Sequence, residues 1–167
     1  MLNTPVEALR ELLAGLPAGV EGVVAVEELG RVVDVARVRV AAGIDEGLAE
    51  SLGFTSPVTA VATLARVSER TARARLAVGA ATRVDRSLSG AQVPPRLPVL
   101  AATLEQVGLD AAELISRELA TVEARVPAEV LGAAETVMVN LASGRDATES
   151  HAVPPVSVTF LGAELRQ

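Results

Sequence analysis

Ser56-Pro57-Val58-Thr59-Ala60-Val61-Ala62-Thr63-Leu64-Ala65-Arg66 and Val67-Ser68-Glu69-Arg70-Thr71-Ala72-Arg73-Ala74-Arg75-Leu76 follow one another without a gap, and each contains a helix start. Ser56 stands before Pro57, a hydroxyl N-cap followed by the one residue that suits a first helical position. Ser68 supplies the hydroxyl cap of the next helix. The pair reads as a short apolar helix to about Arg66, a tight break at Val67-Ser68, and a second helix with Ala72, Leu76 and Ala80 on its apolar side. That arrangement is helix-turn-helix in form and sets the expected class, an all-α bundle.

Helical signals extend outward in both directions. Thr4-Pro5-Val6-Glu7 has the form of a capping box, with Gly15 and Pro17 ending that first helix near Leu13. Leu29, Val33, Ala36, Val40, Ile44 and Leu48 recur at helical spacing, so Glu21 to Leu52 is expected to form one helix of about thirty residues. Its many β-branched residues are mediocre helix formers, and a helix of that length needs a packing partner, for which a second copy of the chain is a candidate. Downstream, Asp85 to Pro98 is rich in Ser, Gly and Pro and reads as a loop. Helical pattern resumes from Leu97 to Val107, stops at Gly108, restarts at a second capping-box form, Asp110 to Glu113, and runs to about Arg125. Pro127 opens a last helix that ends near Ser143-Gly144. The alternating Val156 to Phe160 is expected to be either a short strand or part of a disordered tail. The expected organisation is an N-terminal helical appendage over 1–19, an all-helical domain over 20–144 and a polar, Pro-containing tail over 145–167.

Composition narrows the chemistry. Half of the 167 residues are hydrophobic but aromatics make up only 1%, so the core must be built from Val, Leu and Ala. There is no Cys, which excludes disulfides, thiol nucleophiles and Cys-based metal sites, and no Lys, which excludes a phosphate-binding P-loop. His151 is the single histidine and lies in the polar tail, too little for an HNH metal site or a Ser-His-Asp triad. Glu27-Glu28 and Asp45-Glu46 are adjacent pairs that a helix turns about 100° apart, which suits solvated surface better than a cation site. No catalytic residue, metal or cofactor is expected, and the chain is read as a non-enzyme. No stretch reaches the run of about 20 apolar residues needed to span a bilayer, and Glu7 and Glu11 stand where a signal peptide would be basic. A soluble, cytoplasmic protein with no membrane partner is the expectation.

The formal net charge is −6, yet Arg66, Arg70, Arg73, Arg75, Arg83 and Arg86 gather over residues 66–86 against only Glu69 and Asp85. Two readings stand side by side. In one, this is a solvated, salt-bridged helix face. In the other, Arg66, Arg70, Arg73, Arg75 and Arg83 meet nucleic-acid phosphates, with Arg70, Arg73 and Arg75 foremost. The overall negative charge and the lack of Asn or Gln in this helix limit the second reading to weak, non-specific DNA contact. A protein-interaction or homodimerisation module built on the Glu21 to Leu52 helix is the alternative function.

The order of signals from Leu29 to Ala142 resembles domain of unknown function 222, the helical domain that precedes the HNH nuclease module in actinobacterial HNH-endonuclease-like proteins. The resemblance is carried by Ala60 to Ala65, Val67 to Leu76, Leu97 to Leu104, Gly108-Leu109-Asp110 and Leu114-Ile115. The family's usual Trp before the arginine-rich helix and its His after the glycine are missing, and from Arg145 onward its continuing helical half and the nuclease are absent. The resemblance implies an all-helical, non-catalytic module associated with a DNA-acting enzyme.

Overall fold

The computed structural model describes residues 3–145, with side chains from Pro5 onward, and shows an all-α architecture. Among the described residues there are eight helices: α1 Asn3–Ala14, α2 Val20–Ala42, α3 Glu46–Ser51, α4 Pro57–Ala65, α5 Glu69–Thr82, α6 Pro98–Val107, α7 Leu109–Val122 and α8 Ala128–Ser143. His151 and the alternating Val156 to Phe160 lie outside the described residues.

The anticipated thirty-residue helix is two helices. Gly43 ends α2, and the Asp45 carboxylate then accepts the Leu48 N–H at 2.8 Å to start α3. An Asp in extended conformation at this position satisfies an orphan donor of a new helix, which is why the chain breaks there. The buried face of α2 also differs from the expected one. Val35, Val38 and Ala41 face inward, while Val40 is 73% exposed and Leu48, in α3, is exposed as well.

Elsewhere the differences are small. The first helix already begins at Asn3, one residue before the expected cap. Asp110 lies inside the first turn of α7, whose N-cap is Gly108 with φ +78°, a left-handed conformation open to glycine at little steric cost. The expected Asp85 to Pro98 loop contains a two-residue ladder, β1 Asp85–Arg86 antiparallel to β2 Gln92–Val93, closed by a turn through Gly90.

Helices α5 to α8 and the middle of α2 enclose the main core, with Leu100, Ile115, Leu119, Met138, Val38 and Val78 fully or almost fully buried. Two features fix the arrangement. At Gly79 the helices α2 and α5 come so close that a Cβ there would lie 2.6 Å from the Ala42 Cβ. At the start of α6, Leu97 offers no side-chain cap, and Glu135 of α8 serves instead. A smaller cluster, Ala41, Val61 and Ala72 with Ile44 and Val67 against it, joins α4 and α5 to the end of α2 and so positions the Arg-rich helix.

Candidate nucleic-acid interface

Both serine caps form as their sequence implies. Ser56 Oγ accepts the Thr59 N–H at 3.2 Å, and Ser68 Oγ accepts the Thr71 N–H at 3.1 Å. Between them Arg66 closes α4 with φ 52° and ψ 47°, the one non-glycine residue with positive φ among those described. The Val67 N–H reaches back to the Ala62 carbonyl at 3.0 Å, completing a Schellman-type stop in which half-buried Val67 packs beneath the turn. The turn therefore consists of Arg66, Val67 and Ser68, and α5 departs from it with its N-terminus pinned.

The five arginines read as phosphate contacts divide into three groups. Arg66 and Arg70 are exposed, and their guanidinium groups make no hydrogen bond or ion pair among the described residues. Arg73 is exposed and held by Glu69 one turn earlier at 2.5 Å, an i,i+4 surface pair worth only about 0.3–0.5 kcal/mol and readily exchanged for another anion. Arg75 is turned inward and Arg83 is engaged by other groups. Arg75 is 8% exposed, three residues after buried Ala72 and three before buried Val78, so it lies on the core side of α5 and out of reach of a duplex. Arg83 donates to the Ala42 carbonyl at 3.3 Å and pairs with Asp85 at 2.8 Å, tying the end of α5 to the end of α2.

What the outer side of α5 presents is Arg70, Arg73, Ala77 and Ala80, all exposed and at the spacing of a single face. Ala80 was expected on the apolar side and lies instead on this one. Two cations near the helix start followed by two small residues form a surface that a phosphate backbone can approach closely. Nothing on this face offers the paired donor and acceptor that reads an adenine edge. Among the described residues no group of three or more His, Asp or Glu is placed to hold a metal ion. No helix among them is long and apolar enough to cross a membrane. Two features escaped sequence reasoning: the left-handed turn at Arg66 and the inward Arg75. The second was legible in the spacing 72, 75, 78 once Ala72 and Val78 were both assigned to the core.

Comparison with family models, with curated proteins and with solved structures gives no match to this chain.

Proposed function

We propose that the chain is a non-catalytic helical module of an HNH-nuclease-like, DNA-acting protein, and that it meets duplex phosphates through Arg66, Arg70 and Arg73. The observation that supports this is the outward, unengaged state of Arg66 and Arg70 at the turn into α5. A non-glycine residue held in the left-handed region is strained by about 1–2 kcal/mol, and such strain is concentrated at places where a side chain is put to use. Contact of this kind is sequence-tolerant, because Arg carries phosphate recognition while α5 lacks base-reading amides. The test is fluorescence anisotropy with a labelled random duplex in about 50 mM and then about 200 mM salt. Release of three counterions weakens binding roughly 40-fold across that range. Changing Arg66, Arg70 and Arg73 together to Ala must remove that salt sensitivity, and an unaltered salt slope would sink the reading.

A second reading, an interaction or homodimerisation module, is favoured by a different surface. Along α2, Val20, Val23, Val24, Val26, Val32 and Val40 are exposed, Val20 to 81%, and α1 adds Leu9, Leu12 and Leu13. Exposed apolar side chains in this number favour an interaction site, and Leu13, Val23 and Val26 line one shallow groove where α1 meets α2. Light scattering after size exclusion separates the two readings: a stable dimer at low micromolar concentration that ignores DNA supports the second.

A further inference from the structure

Where α2, α4 and α5 meet, a groove of about 440 Å³ is lined by Val33, Val40, Ile44, Val61 and Leu64, with Arg75 in its wall and Arg37 at its rim. Charged side chains this deeply buried are almost always paired, because moving an unpartnered charge out of water is costly. The Arg75 side chain has neither an ion pair nor a hydrogen bond among the described residues, and its Nε is fully buried without an acceptor. Arg37 does not alter that balance, since Asp34 already holds it at 2.8 Å. The groove thus combines an aliphatic lining with one uncompensated positive charge.

We propose that this groove binds an aliphatic monocarboxylate, its carboxylate on Arg75 and its hydrocarbon body along α2 and α4. The charge count selects a monoanion, because a doubly charged phosphate would leave one negative charge unpaired in an apolar cleft. The planar guanidinium suits a carboxylate, which can take two parallel hydrogen bonds. Slender chains fit best, since Ala36, Ala41 and Ala65 form part of the wall and no aromatic ring is present to stack a flat ligand. The volume is in the range of small-molecule sites. This proposal stands apart from the DNA reading, which uses the opposite, outer face of α5.

The test titrates the whole chain with decanoate below its micelle concentration at neutral pH, by calorimetry and by the carboxyl ¹³C shift of labelled decanoate, with decanol as the uncharged counterpart. Saturable one-to-one binding of decanoate, at least tenfold tighter than decanol, is expected, and Arg75→Met must erase that preference. Absence of saturable binding, equal binding of the alcohol, or a preference retained in Arg75→Met overturns the proposal. So does a dimer that covers the groove and leaves no site for decanoate. Should Arg75→Met fail to fold, Ala36→Trp fills the groove from an exposed rim position and must abolish binding; undiminished decanoate binding in that variant is equally fatal.

Discussion

Glu135 of α8 caps the first turn of α6: its Oε1 accepts the Leu100 N–H at 2.8 Å, and the residue is 2% exposed. A residue 35 positions along the chain thus satisfies a helix terminus that Leu97 leaves bare. Burial pushes the Glu135 carboxyl above its ordinary range, and hydrogen bonds from the Leu100 and Val99 N–H groups draw it partly back.

A carboxyl whose folded pKa is raised binds more protons in the folded than in the unfolded chain. Its contribution is therefore fully present below the ordinary value of 4.5 and is lost as pH rises through the folded value. Relative to Glu135→Gln, the native chain should gain stability as pH falls from neutrality toward 4.5. Urea denaturation followed by circular dichroism at several pH values checks this, and a difference that stays flat with pH would refute it. Glu135→Ala strands the Leu100 N–H and should cost about 1–3 kcal/mol at neutral pH.

The close approach at Gly79 makes a second expectation quantitative. A methyl there meets the Ala42 Cβ at 2.6 Å and the Val38 carbonyl at 3.1 Å. Gly79→Ala should destabilise by about 1–3 kcal/mol even though Ala is the better helix former by about 1 kcal/mol. The double variant Gly79→Ala with Ala42→Gly should recover part of the loss, because the two sites touch. Additive losses in the four-way comparison would show that the contact does not set the helix spacing.

Arg66 sits where glycine is at ease. Arg66→Gly should raise stability by about 1 kcal/mol, visible as a higher Tm, while weakening DNA binding if the proposed interface is right. A variant that gains stability and keeps full affinity separates the strain from the interface and removes Arg66 from it.

The serine caps supply a fourth expectation. Ser56→Ala and Ser68→Ala should each cost about 1 kcal/mol, and Ser68→Asp should retain most of the stability because its carboxylate accepts the same N–H. Equal stability of Ser68→Ala and the native chain in urea titration would show that the turn is held by Val67 packing alone.

The two serine caps and the glycine stop were the legible part of this sequence because they are local chemistry. Ser56, Ser68 and Gly108 each announce a helix boundary through a hydroxyl, a following proline or the glycine itself. Faces were much less legible. Most of α2 is Val, Ala or Gly, so hydrophobic periodicity has little contrast, and the face containing Val35 and Val38 is chosen by its fit against α5 at Gly79, a contact between segments far apart in sequence. Asp45 was read as half of an acidic pair when its role is to start α3. The basic cluster was legible as a cluster, but its division into outward Arg66, Arg70 and Arg73, inward Arg75 and tethering Arg83 depends on a helix rotation that only packing decides.

The scarcity of rings and the predominance of Ala and Val across the α2–α4–α5 contacts carry an evolutionary corollary. Residues such as Ala41 and Ala72 have almost no side chain to lose, so deleting volume there removes little. Adding volume forces apart helices that already touch. This part of the domain should drift freely among the smallest residues and reject larger ones, so that its hereditary signature is an upper limit on size at each position rather than a preferred residue.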